Sequence, residues 1–234
     1  MNLNQIWTSL MAAIHYVPQT IAVILVPFFI CLVFGLIIAM VRYLQVPVLS
    51  QLFALFVVIF KSIPIYLLIV VADLLYILFF DSVAAALGLH VTQKDVNILY
   101  FAFVVLAVGF TPYMSEVLRG ALRSVPAGQL EAGYAVGLTR WQVLRRIVIP
   151  QMFPAALPQM TSLLIALMKA SALTFSMGVM DILNAAMKSA AASYDILEAY
   201  VAAAILYWVL GVAIERVMGA IERASARYRR AVAS

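Results

Sequence analysis

Long uncharged apolar runs, separated by short polar intervals, set the pattern of this chain. Val17 to Val41, Val96 to Ser115 and Ile147 to Met168 contain no charged side chain, and Ala199 to Ile214 is a shorter run that can be extended at both ends. A helix of about 20 apolar residues spans the ~30 Å hydrocarbon core of a bilayer. Gln51 to Phe80 is apolar except for Lys61 and Asp73. As one straight helix it would rise roughly 45 Å, at ~1.5 Å per residue, more than the core requires. It therefore reads either as one tilted or broken helix, or as two spans around Lys61-Ser62-Ile63-Pro64. The expected spans are 17–41, 51–80, 96–118, 150–175 and 198–216. They make an all-α integral membrane protein of about five transmembrane helices, in a single domain covering 1–234. Gly35 is expected to permit close helix packing, Pro18 to open its helix and Pro27 to kink it. Met1 to Tyr16 is polar-mixed, with Trp7 and Tyr16 suited to a membrane interface. Asp81 to Val96 and Asp181 to Glu198 read as polar outer loops.

The longest polar interval, Ser124 to Met160, has its own punctuation. Ser124 and Pro126 suit the start of a short helix, and Gly137 suits its left-handed end. Thr139-Arg140-Trp141-Gln142 is a capping box that restarts a second helix. Pro150, Pro154 and Pro158 are expected to bend or re-aim the chain as it enters the next apolar run. Residues 120–149, which hold most of this interval, are thus expected to form a helix-turn-helix loop facing water.

Composition strengthens the membrane assignment. Hydrophobic residues make up 66% and charged residues 11%, against about 25% charged in soluble domains. The net charge of +5 reflects the placing of Lys and Arg, not nucleic-acid binding. With five spans and the N-terminus outside, one side receives Arg42, then Arg119, Arg123, Arg140, Arg145 and Arg146, then Arg216, Arg223, Arg227, Arg229 and Arg230. The other receives Lys94 and Lys188. The positive-inside rule makes the arginine side cytoplasmic. A six-span arrangement with the N-terminus inside ranks second, because it puts Arg42 outside and needs a tight turn at Pro64. No basic segment precedes the first apolar run, so that run is expected to persist as a spanning helix. The lone cysteine, Cys31, cannot form an intrachain disulfide.

Glu131-Ala132-Gly133, three residues, Gly137, nine residues, Ile147, one residue, Ile149-Pro150 resembles the "EAA" loop of ABC-importer permeases. That pattern is Glu-Ala-Ala, three residues, Gly, nine residues, Ile, one residue, Leu-Pro. Gly133 stands for the second Ala and Ile149 for Leu. Tyr113-Met114-Ser115-Glu116-Val117-Leu118-Arg119-Gly120, Ser124-Val125, Gly128-Gln129 and Pro150-Gln151 are similar to the polar-amino-acid uptake family. Leu167-Met168-Lys169-Ala170-Ser171-Ala172-Leu173 resembles its Leu-x-Lys-Asp-Thr-Ser-Leu, with Ala170 in place of the Asp. Phe60-Lys61-Ser62-Ile63-Pro64 looks like a degraded Arg-Gly-Thr-Pro, which favours one broken helix over two spans.

The resemblance implies a permease of a bacterial inner-membrane importer. It implies two ABC ATPase subunits that bind ATP and Mg, a second permease that is the same or homologous, and an extracytoplasmic amino-acid-binding protein. Glu131, Ala132, Gly133, Gly137, Ile147 and Pro150 would form the ATPase-coupling element. The substrate would be a polar amino acid, cystine being one candidate. This chain has no catalytic residue, cofactor or metal expectation of its own. It lacks a glycine-rich Lys-Ser/Thr phosphate loop, and two distant histidines with one cysteine make no metal site. His15 reads as an interfacial or capping residue and His90 as a solvated loop residue. Four intramembrane charges remain, and such residues are paired or line a polar cavity. One reading pairs Lys61 with Glu116 and Asp73 with Lys169. The other places Lys61, Asp73, Glu116 and Lys169 around a zwitterionic substrate. The rival class is a secondary carrier or channel that uses the same four as an ion path, although no internal repeat of the carrier type is visible.

Overall fold

The computed structural model describes residues 2–233, with side chains described through Ser225. Arg227, Arg229 and Arg230 therefore lie outside the described side chains. Among the described residues ten helices follow one another: α1 (Leu3–Ile14), α2 (Val17–Tyr43), α3 (Leu49–Ser62), α4 (Ile65–Ala86), α5 (Ile98–Arg123), α6 (Ala127–Ala135), α7 (Arg140–Val143), α8 (Ile149–Ser171), α9 (Ile182–Ala190) and α10 (Ile196–Ala233). Five segments of the described chain are long and apolar enough to cross a membrane: Val17–Tyr43, Ile65–Ala86, Ile98–Arg123, Arg140–Met177 and Ile196–Ser225.

The centre of the fold is α5, which packs on α2, α3, α4 and α8. Leu106, Met114, Leu118 and Leu122 of α5 are all but fully buried against Ile24 and Cys31 of α2 and Met152 and Leu167 of α8. The closest approach is at Gly35, where a Cβ would sit 2.8 Å from Met114 Cγ and 3.1 Å from the Ser115 backbone nitrogen. Only a residue without a side chain lets the two backbones meet there, as expected from the sequence. A second, smaller core joins α1, α9 and α10 through Ala13, Ile182, Ala186, Ala199 and Ala203.

The structure settles or refines several elements of the sequence reading, and the favoured break in the run 51–80 is present. Ile63 adopts an extended backbone (φ −88°, ψ 126°) and Pro64 caps α4, because proline pushes its predecessor out of the helical region. The spanning segment begins only after the break, and α3 is a shorter apolar helix. The polar-mixed N-terminus is helix α1, capped by the Asn2 side chain. The outer loop 181–198 contains helix α9, capped by Asp181. The loop after Phe80 is also shorter than expected, since α4 continues to Ala86. Pro27, Pro154 and Pro158 all lie inside uninterrupted helices. Pro150 is accommodated by a π-turn, Leu144–Val148, immediately before α8. Its ring would otherwise crowd the carbonyl of Arg146 one turn back.

Candidate functional site

Two regions carry the residues singled out in the sequence. The first is the loop between α5 and α8. Ser124 ends α5 instead of opening α6: its backbone N–H bonds to Gly120 and its hydroxyl donates to the Ala121 carbonyl at 2.8 Å. Pro126 is the cap of α6. Gly137 has φ +80°, a left-handed conformation that non-glycine residues adopt only with strain. Thr139 and Gln142 form a complete capping box: the Gln142 N–H donates to Thr139 Oγ1 at 3.3 Å, and the Thr139 N–H donates to Gln142 Oε1 at 2.8 Å. Each bond satisfies a helix-end donor that would otherwise lack a partner.

Gly133 has a packing role. A Cβ there would lie 2.7 Å from Ile147 Cδ1 and 2.9 Å from Val143 Cγ2, so α6 rests directly on the π-turn. Gly133 and Ile147, two of the spaced positions, are thus brought into contact, with Pro150 just beyond. Glu131 and Ala132 of α6 are exposed, and so in part are Tyr134, Val136 and Trp141. The loop is a short rigid helix pair with an exposed outer face. Tyr43 of α2 and the adjoining Leu44 join Leu130, Tyr134, Arg140 and Val148 around a cavity of about 290 Å³.

The second region is the α3–α4 break. Lys61, Ser62, Ile63 and Pro64 line a cavity of about 620 Å³, together with Tyr113 of α5 and Lys169 of α8. Lys61 Nζ lies 5.6 Å from the centre of the Tyr113 ring, within range of a cation–π contact. The Tyr113 hydroxyl donates to the Lys61 carbonyl at 3.3 Å.

The structure separates the four intramembrane charges. Lys61 and Lys169 share the cavity, whereas Asp73 and Glu116 are not part of its lining. Glu116 is held by Arg42 at 2.6 Å and by Arg119 at 2.7 Å, so neither expected pairing, Lys61 with Glu116 or Asp73 with Lys169, forms. Sequence reasoning treats Arg42 as a topological marker and misses that it neutralises Glu116. It also misses Tyr113 as a wall of the cavity. The only signal is spacing: Tyr113 precedes Glu116 by about one helical turn.

Two carboxylates outside the spans are perturbed. Asp95 accepts from the backbone and hydroxyl of Thr92, and these bonds hold its carboxyl below the usual range. Asp181 is fully buried, and burial pushes its carboxyl up to about 6, against the opposing hydrogen bonds from Asn184 and Tyr207. No cluster of residues able to hold a metal ion is present among the described residues.

Residues 31–227 match the family described as the binding-protein-dependent transport system inner membrane component. Similar curated proteins include the probable amino-acid permease protein YxeN of Bacillus subtilis (strain 168), 30% identical over 92% of this chain and 91% of that one. The L-cystine transport system permease proteins TcyL and TcyB of the same organism are 29% and 31% identical. TcyL aligns over 92% of this chain and 87% of its own length, TcyB over 95% and 88%. The fold resembles that of an amino acid ABC transporter crystallised with histidines (TM-score 0.75, 21% identity, 91% of this chain and 93% of that one). It also resembles the inward-facing MetNI methionine ABC transporter (TM-score 0.72, 24% identity, 96% and 99%). The chain belongs to the binding-protein-dependent transport system inner membrane component family. It is a multi-pass inner-membrane permease subunit of an ABC importer, in the family that includes the amino-acid permeases named above.

Proposed function

We propose that this chain imports a polar amino acid, cystine among the candidates, and that the α6–α7 loop couples it to a cytoplasmic ATPase. Two ATPase subunits would bind ATP and Mg. A second permease, identical or homologous, would complete the pathway, and an extracytoplasmic binding protein would deliver substrate. The observation that carries the reading is the construction of the loop. The left-handed Gly137, the Thr139–Gln142 box and the Gly133–Ile147 seat make a rigid unit clamped between α5 and α8. A rigid lever anchored at both ends can pass a movement on one side to the spanning helices. Glu131, exposed on that lever, supplies a charge for a basic groove.

The same reading puts the loop and the C-terminus in the cytoplasm and the N-terminus outside, by the distribution of arginines. It assigns the substrate to the Lys61–Lys169 cavity. Of the four intramembrane charges, Asp73 and Glu116 leave that assignment. Their separation also weakens the carrier alternative, because an ion path needs ionisable groups within reach of one another.

Glu131→Lys and Gly137→Val test the coupling role. Both variants should insert normally but lose most of the co-purifying ATPase. A β-branched residue is poorly tolerated at a left-handed position. Undiminished ATPase co-purification in both would remove the docking assignment.

A further inference from the structure

We infer that the cavity at the α3–α4 break selects an amino acid bearing two carboxylates, because its two lysines meet no acidic residue in the cavity wall. The inference rests on the importer reading and names the substrate class of that same site.

Lys61 and Lys169 are the charged residues of the lining, and both are exposed. They sit among spanning helices, where an uncompensated charge is costly. The acids that could have neutralised them lie elsewhere. Glu116 is bound by two arginines. Asp181 accepts from Tyr207 at 2.9 Å and from Asn184 at 2.8 Å. Glu222 accepts from Thr161 at 2.8 Å. Asp73 lies on α4 outside the lining. Ala170, which follows Lys169, also faces the cavity, and it offers a methyl group where the similar Leu-x-Lys-Asp-Thr-Ser-Leu pattern has a carboxylate.

Charge balance then distinguishes the possible occupants. An amino acid with one carboxylate leaves the cavity with two excess positive charges, counting its own ammonium group. A cationic amino acid leaves three. An acidic amino acid leaves one, and two carboxylates can each meet one lysine in a charge-assisted hydrogen bond. A disulfide-linked pair of amino acids also presents two carboxylates, at a wider separation; its two ammonium groups make it net neutral, so its advantage over a monocarboxylate amino acid rests on the second lysine–carboxylate bond alone. The substrate ammonium is left to the polar groups of the unwound backbone, as at other interrupted transporter helices.

The test measures binding to the full-length chain in lipid nanodiscs, with L-glutamate, L-cystine, L-glutamine and L-arginine as probes. L-Glutamate or L-cystine should bind at least about 10-fold more tightly than the other two, since a charge-assisted bond contributes roughly that factor or more. Which of the two binds reports the separation of the carboxylates. Lys61→Met and Lys169→Met should each erase the preference, and Lys169→Arg should keep it. Ala170→Asp, which supplies a carboxylate beside Lys169, should weaken the dicarboxylate and strengthen L-glutamine. Equal binding of L-glutamine or L-arginine to the unaltered chain, or an unchanged preference in Ala170→Asp, would overturn the charge rule while leaving the importer reading intact. Binding of no amino acid by the folded chain would overturn the cavity as the substrate site altogether.

Discussion

Arg42, in the last turn of α2, donates to Glu116 of α5 at 2.6 Å. Arg119 closes on the other carboxylate oxygen at 2.7 Å. The three side chains join the two most closely packed helices at the end where the α6–α7 loop begins. The arginine side chains are 13% and 22% exposed and that of Glu116 is 27% exposed, so water screens the cluster only in part.

Glu116 is accordingly a structural residue. Glu116→Gln leaves two arginines facing a neutral amide. Full burial would make such a loss worth about 3–5 kcal/mol; with partial exposure about 2 kcal/mol is expected. The thermal midpoint of the detergent-solubilised protein should fall, and the double variant Arg42→Met/Glu116→Gln should recover part of it. Amino-acid affinity should remain unchanged. A stable Glu116→Gln protein with altered substrate affinity would return Glu116 to the substrate site.

The Gly133–Ile147 seat predicts a size dependence. Gly133→Ala adds a methyl group that must displace Ile147 Cδ1, a flexible side-chain end, and shift Val143 Cγ2 by a smaller amount. The net cost should be about 1 kcal/mol, because the gain in helix propensity offsets much of the overpacking. Gly133→Leu cannot be seated and should abolish ATPase co-purification. Adding Ile147→Ala, which opens space at the contact, should restore part of it. Equal behaviour of the alanine and leucine variants would mean that α6 does not rest on the π-turn during coupling.

Asp181 predicts a pH dependence. Its carboxyl is raised in the folded protein, to about 6 from an ordinary value of 3.8, so the folded state holds its proton more tightly than the unfolded state. The stability linked to that proton is fully present below about pH 4, declines as pH rises, and is lost above about pH 6. The amount is roughly 2–3 kcal/mol, because each tenfold difference in proton affinity between the two states contributes ~1.4 kcal/mol. Asp181→Asn keeps the cap on α9 but cannot titrate. The difference in unfolding free energy between the native chain and this variant should therefore change across pH 4–6 and level off above it. A pH-independent difference would place the Asp181 carboxyl in water.

Orientation has its own check. Single cysteines at Gln129, in α6, and at Gln93, in the turn after α4, should lie on opposite sides of the membrane. In intact cells an impermeant thiol reagent should label the cysteine at Gln93 and spare the one at Gln129. Labelling at Gln129 would invert the topology.

The α6–α7 loop is legible from sequence because its determinants are local. Gly137, Thr139 and Gln142 act on their own backbone within a few residues, and capping needs no tertiary partner. The Ile63–Pro64 break is local in the same way. Helices α1 and α9 read as polar segments in the sequence, although Asn2 and Asp181 are good caps. Their apolar faces are short, and they matter only once α10 is beside them. Of the ion pairs, Glu116 with Arg119 is a local i,i+3 spacing on one helix, whereas Glu116 with Arg42 is not legible. Glu116 has arginines and lysines at comparable depth, and the choice of Arg42 depends on how α2 and α5 rotate around the Gly35–Met114 contact. The sharing of one cavity by Lys61 and Lys169 depends likewise on how the α3–α4 break, α5 and α8 are arranged around it.

The central claim is that this chain moves an amino acid by means of a partner's ATP hydrolysis. Proteoliposomes containing the chain with its co-purified ATPase, and loaded with the cognate binding protein, measure this directly. The account predicts amino-acid uptake that requires ATP, persists when ionophores collapse all ion gradients, and disappears with Gly137→Val. Uptake that proceeds without ATP and follows an imposed proton or sodium gradient would contradict it.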